Sequence, residues 1–105
     1  MNIKWRKLAE IQLNCVLTYY TQNFGVHTAD NLLDKIEQKL RRLADNPELG
    51  FPEPLLAERK RNYRSLIVAE HYKIIYWVDA IQSIIYIADL WDTRRESARL
   101  AKRMK

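Results

Sequence analysis

The apolar residues of this chain change their period once, and that change dictates most of what the chain can fold into. Between Ala9 and Leu43 they recur at helical steps, whereas from Tyr63 onward they come in dense runs of β-branched and aromatic residues. A period of 3.6 belongs to a helix with one face in a core, and runs rich in Val, Ile and Tyr belong to strands. The first stripe is Ala9, Leu13, Val16, Leu17, Tyr20 and Phe24, closed by Gly25, a residue suited to a helix C-cap. The second is Ala29, Leu32, Leu33, Ile36, Leu40 and Leu43, with Thr28 as its expected N-cap and Asn46-Pro47 as its stop. So few residues separate the two stripes that an antiparallel helix hairpin is expected.

The second half predicts strands over Tyr63–Val68, Tyr72–Val78 and Ser83–Leu90, after a short one at Ile3–Trp5. The gaps between the last three have hairpin lengths, so they should form an antiparallel meander. Ile84, Ile85, Tyr86 and Ile87 do not alternate with polar residues, the mark of a central strand covered on both faces. Residues 46–60 hold all three prolines and Gly50, and read as a loop anchored by Leu49, Phe51, Leu55 and Leu56. Thr93-Arg94-Arg95-Glu96 has the spacing of a capping box and should open a short basic C-terminal helix. The expected fold is α+β, one domain over residues 1–105, with the helix hairpin packed on a small, mainly antiparallel sheet.

Several function classes fall away. No run approaches the roughly 18 apolar residues of a membrane span, and MNIKWRKLAE lacks the apolar stretch of a secretory signal, so a cytoplasmic protein is expected. The lone Cys15, expected to be buried, has no disulfide partner, and His27 and His71 lack metal-ligand spacing. No metal or small-molecule cofactor is therefore expected. Eighteen Lys and Arg against thirteen Asp and Glu give a net charge of +5, which favours a polyanionic target or an acidic protein partner.

Particular segments then narrow the reading. The first helix ends in Tyr19-Tyr20, the second closes in Leu43-Ala44-Asp45-Asn46-Pro47 with Gly50 beyond it, and a strand opens with Asn62-Tyr63-Arg64-Ser65-Leu66. There follow Glu70-His71-Tyr72-Lys73-Ile74-Ile75-Tyr76-Trp77-Val78, then Ile85-Tyr86-Ile87 and Trp91-Asp92-Thr93-Arg94-Arg95. In order and spacing these segments resemble the RelE/ParE toxin superfamily, also labelled plasmid-stabilisation proteins, over nearly the whole chain. The resemblance implies a bacterial toxin held by a cognate antitoxin. It implies one of two activities: metal-independent mRNA cleavage on the ribosome, or poisoning of DNA gyrase.

The two activities ask for different chemistry. Cleavage by attack of a 2′-hydroxyl on the adjacent phosphorus needs a base, cations for the phosphorane charge and an acid for the leaving oxygen. A gyrase poison needs only a binding surface. By the resemblance, Arg64, Lys73, Arg94, Arg95 and His71 are the candidate catalytic residues, and Arg59, Lys60 and Arg61 the candidate contacts to RNA or to a partner. Lys73 stands where family nucleases often carry an arginine, and a lysine there loses the bidentate fork. His71 offers neutral-pH proton transfer, although an ordinary hairpin-turn histidine would look the same. Residues 92–105 contain no Tyr or His, where many family nucleases place their acid or base. Tyr19, Tyr20, Tyr76 and Trp77 read as core or rim residues rather than stacking platforms. The residues favour an RNA- or ribosome-directed toxin by a small margin, with a gyrase poison, or a non-catalytic module kept as an antitoxin partner, as the alternatives.

Overall fold

Gly25 ends one helix and begins the next. Its φ of 93° is open to glycine but strained for any side chain; its N–H donates to the Thr21 carbonyl, and its own carbonyl accepts from Ala29. The computed structural model, which describes residues 1–94, therefore places α1 (Lys7–Phe24) and α2 (Val26–Asp45) back to back with no linker. Thr28, expected as the N-cap of α2, lies inside its first turn, because a glycine that reverses the chain in one residue leaves no room for a separate cap. Before the helices runs β1 (Asn2–Trp5). After them come β2 (Phe51–Pro52), a 3-10 turn (Pro54–Leu56), β3 (Arg64–Ala69), β4 (Tyr72–Asp79) and β5 (Ile84–Asp92). The basic C-terminal helix expected beyond Thr93, with Arg95, lies outside the described residues.

The strands form one sheet in the order β1-β5-β4-β3-β2, with β1 parallel to β5 and every other pair antiparallel. The expected meander is β3-β4-β5. Its last strand has neighbours on both sides, but β4 is the middle one, since β2 extends the opposite edge. The proline-rich segment thus contributes a two-residue strand that its sequence conceals. Pro52 lacks a donor and is tolerated there because β2 is an edge.

Both helices cover one face of the sheet, α1 against β5 and α2 against β3. Beneath them Leu32, Ile36 and Leu43 pack with Ile74, Tyr76, Ile85, Ile87 and Leu90. The two helices bury themselves unequally. Five α2 residues are buried, including Ile36 and Leu43 with no exposure, whereas Ala9 is the one fully buried residue of α1. Cys15, expected inside, is exposed, because Ala9, Leu13, Val16, Leu17 and Tyr20 turn α1 so that Cys15 points away from them. Tyr19 lies on the rim, 54% exposed and edge-on to Tyr20 and Phe24.

The other face carries a second, smaller core. A bulge between Ile75 and Tyr76 shifts the β4–β5 register, so that Ile75 faces Asp89 and Lys73 faces Trp91. Leu56, from the 3-10 turn, is inserted against Ile75, Ala88 and Trp91. The loop after β2 is therefore a strap over the sheet rather than a free connection.

Candidate functional site

Side chains alternate across a strand, so the sheet sends the candidate residues of β3 and β4 to opposite faces. Arg64 is the register partner of Tyr76 and lies on the helix side. Its Nη1 donates to the Gly50 carbonyl at 2.8 Å. The fully buried Tyr76 hydroxyl works on the same loop, accepting from the Gly50 N–H at 2.9 Å and donating to the Pro47 carbonyl at 2.9 Å. Burial pushes the Tyr76 phenol above its ordinary pKa, which keeps it a neutral donor.

Lys73 lies on the opposite face, where its ammonium forms an ion pair with Glu53 of the strap. The Lys73 side chain is 16% exposed and that of Glu53 3%. A neighbouring contact fastens the same strap: the Arg61 guanidinium stacks 4.3 Å from the Trp77 ring, which in turn stacks on Tyr86 at 4.3 Å and 19°. Arg59 and Lys60 are exposed beside it.

His71 and Arg94 meet at a third place, the end of the sheet where β4 begins and β5 stops. The Arg94 guanidinium grips Asp92 with two donors, Nε at 3.1 Å and Nη2 at 2.8 Å. That grip holds the Asp92 carboxyl down at about 2. His71 Nε2 lies 3.8 Å from the same carboxylate and, among the described residues, has no hydrogen-bond partner. The Thr93 N–H and hydroxyl both donate to the His71 carbonyl, which ties the β3–β4 turn to the end of β5. The turn histidine is thus partly buried, its ring against Tyr72 at 4.4 Å. Asp92 and Arg94 line a cavity of about 260 Å³ with Gln12, Cys15, Tyr19 and Tyr72.

The candidate cations therefore do not converge. Arg64 stands opposite Tyr76 and Asp92 opposite Tyr72, four residues apart along β4, a separation of about 13 Å at the usual rise of a strand. Lys73 occupies the other face between them. Of the candidates among the described residues, only His71 and Arg94 come together, joined through Asp92.

A family profile described as the ParE toxin of the type II toxin-antitoxin system, parDE, matches residues 3–97. The chain belongs to the ParE toxin family. Among solved structures, a chain of the chromosomal ParDE toxin-antitoxin system from P. aeruginosa aligns with a TM-score of 0.68 at 20% identity, covering 86% of this chain and 92% of that one. The YoeB dimer from Staphylococcus aureus aligns with a TM-score of 0.56 at 25% identity, covering 85% and 92%. No curated protein sequence matches significantly. These likenesses agree with the two helices packed on a five-stranded, mostly antiparallel sheet. As a ParE-type toxin of a type II toxin-antitoxin system, the chain has a cognate antitoxin as its partner. Among the described residues no helix is long and apolar enough to cross a membrane.

In this ParE-family toxin the residues that sequence reasoning missed are the acidic ones. Glu53 sits between Pro52 and Pro54 in a segment that reads as a loop, and only the fold carries it twenty residues along the chain to Lys73. Asp92 was missed too, although its place two residues before Arg94 suits a bidentate local pair and could have signalled it. Its contact with His71 crosses the sheet and carries no such signal.

Proposed function

We propose that this toxin arrests growth by binding, with DNA gyrase as its target, rather than by cutting mRNA. The observation that carries the reading is the Lys73–Glu53 pair. A cation meant for phosphorane charge has to be free of local carboxylates, and this one is held by a carboxylate that is itself nearly inaccessible. A phosphate approaching Lys73 would also meet Glu53, and the strap that carries Leu56 covers the adjoining sheet. Arg94 is likewise neutralised by Asp92, and Arg64 holds the Gly50 loop. A binding toxin has no need of these groups as catalysts, so their use as fasteners is consistent with it. Membership of the ParE family points the same way.

One observation favours the other reading. A histidine beside a carboxylate, with an arginine on that carboxylate, is an arrangement able to move protons, and His71, Asp92 and Arg94 form it at the sheet end. The test is to add purified toxin to gyrase and plasmid DNA, and in parallel to a translation reaction. Accumulation of gyrase-linked DNA breaks with full-length mRNA is the expected result. Intact DNA with mRNA cut in the ribosomal A site would overturn the proposal and transfer the role to the His71 cluster.

A further inference from the structure

A cavity of about 690 Å³ opens at the end of the sheet opposite His71 and Arg94, between the close of α2 and the last residues of β4. Its volume falls within the range of about 300–1,000 Å³ usual for small-molecule sites. The loop that forms its rim is held in place. Arg64 and the Tyr76 hydroxyl both bond Gly50, and the same hydroxyl bonds Pro47. Gly50 itself has no room for a side chain, since a Cβ there would lie 2.4 Å from the Ser65 carbonyl oxygen. A rim fixed in this way has little freedom left to lose when a ligand enters.

The polar groups of the cavity are of both signs and largely unused. Arg64, half-buried, spends only Nη1, on the Gly50 carbonyl, and the rest of its five-donor fork has no partner among the described residues. The Asp45 and Glu48 carboxylates line the same cavity and form no hydrogen bond or ion pair among the described residues. A simple anion entering for Arg64 would meet two carboxylates, and a simple cation entering for the carboxylates would meet a guanidinium; like charges oppose both. The cavity therefore suits a group with two adjacent acceptors on one edge and donors on another. Among the bases, guanine has this pattern: O6 and N7 accept side by side, the pair an arginine fork matches, and N1–H and the 2-amino group donate together to a carboxylate. Adenine puts an amino donor beside N7, against the fork. Cytosine offers a carboxylate one amino group with no N–H beside it. Pro47, Leu49 and Val78 supply apolar walls for the ring faces.

We propose that this cavity binds a guanine base, with Arg64 reading O6 and N7 and the carboxylates of Asp45 and Glu48 accepting from N1–H and the 2-amino group. The base can belong to a free nucleotide or to a nucleic-acid strand. The site does not depend on whether gyrase or the ribosome is the target.

The probe is GMP, titrated into the full ¹⁵N-labelled chain and followed by NMR, beside AMP, CMP and UMP. GMP should shift the amides of Leu49, Gly50 and Asn62 and the Arg64 side-chain N–H, and should bind more tightly than the other three. IMP, which lacks the 2-amino group, and 7-deaza-GMP, which lacks N7, should each bind about tenfold more weakly. Asp45 and Glu48 are exposed, so Asp45→Asn with Glu48→Gln should keep the fold; this variant should no longer separate GMP from IMP. Arg64→Lys keeps a donor for the Gly50 carbonyl without the planar fork, and should no longer separate GMP from 7-deaza-GMP. A TTGTT pentanucleotide that binds more tightly than GMP, with TTATT silent, assigns the base to a strand; binding no tighter than GMP assigns it to a free nucleotide. No shift with GMP, an equal response to AMP or to free glycine, shifts confined to other parts of the chain, or unchanged selectivity in the double carboxylate variant would each overturn the proposal. Toxicity is not read in any arm, so failure here leaves the growth-arrest reading to its own test.

Discussion

Replacing Lys73 with alanine asks whether this lysine fastens the fold or faces a phosphate. Its removal leaves Glu53, 3% exposed, as a carboxylate with almost no water around it. Breaking one member of a buried pair costs about 3–5 kcal/mol, chiefly from the uncompensated charge left behind. The 16% exposure of Lys73 admits some water to the vacated site, which places the loss nearer about 2–3 kcal/mol. At about 4–8 °C per kcal/mol for a domain of this size, the Tm should fall by about 10–20 °C. Removing both charges, as Lys73→Met with Glu53→Leu, should recover most of that, because two apolar side chains leave nothing unpaired. The double-mutant cycle then shows a coupling of about 1.5 kcal/mol or more. A Tm for Lys73→Ala within about 2 °C of wild type, with an additive cycle, would show that the pair carries no stability and would free Lys73 for phosphate contact.

Tyr76→Phe removes the hydroxyl shared by Gly50 and Pro47, and should cost about 1–3 kcal/mol in urea unfolding. Gly50→Ala should cost more, because its Cβ would lie 2.4 Å from the Ser65 carbonyl oxygen and 2.8 Å from the Tyr76 ring. Ile36→Ala, at a position with no exposure, should cost about 2–5 kcal/mol. Leu33→Ala, only partly buried on the same helix, should cost clearly less by the same measurement. Arg94→Ala should raise the Asp92 carboxyl from about 2 toward the ordinary range, followed by carbon NMR of the side chain. Because that pKa is depressed in the folded state, the stability it contributes is present above the unfolded value of 3.8 and disappears as the pH falls through about 2. The variant should therefore be weaker than wild type at neutral pH and match it in strong acid.

The helices and the meander were legible because their signal is periodic and local: Leu32, Ile36 and Leu43 repeat on one face whatever lies opposite. Gly25 was legible for the same reason, since few residues other than glycine tolerate its φ. The phase of α1 was less so. Cys15 was placed inside on the habits of its residue type, and only the packing of Ala9, Leu13 and Val16 shows that its side of the helix faces out. β2 was hidden by prolines that exclude a central strand but permit an edge. The candidate cations could be identified individually but not as a set. Arg64 and Lys73 look like neighbours in a list of charges, yet strand alternation sends them to opposite faces, and the carboxylates that hold Lys73 and His71 come from distant segments.

The measurement closest to the central claim follows both macromolecules in one culture. The toxin is induced without its antitoxin, and the 5′ ends of cellular mRNA and the DNA ends linked to gyrase are mapped from the same cells within the first minutes of growth arrest. The account predicts gyrase-linked DNA ends that rise with induction while mRNA ends stay as they were, and toxicity that survives His71→Ala. New mRNA ends in register with the ribosomal A site, lost in His71→Ala while the folded variant still binds antitoxin, would contradict it.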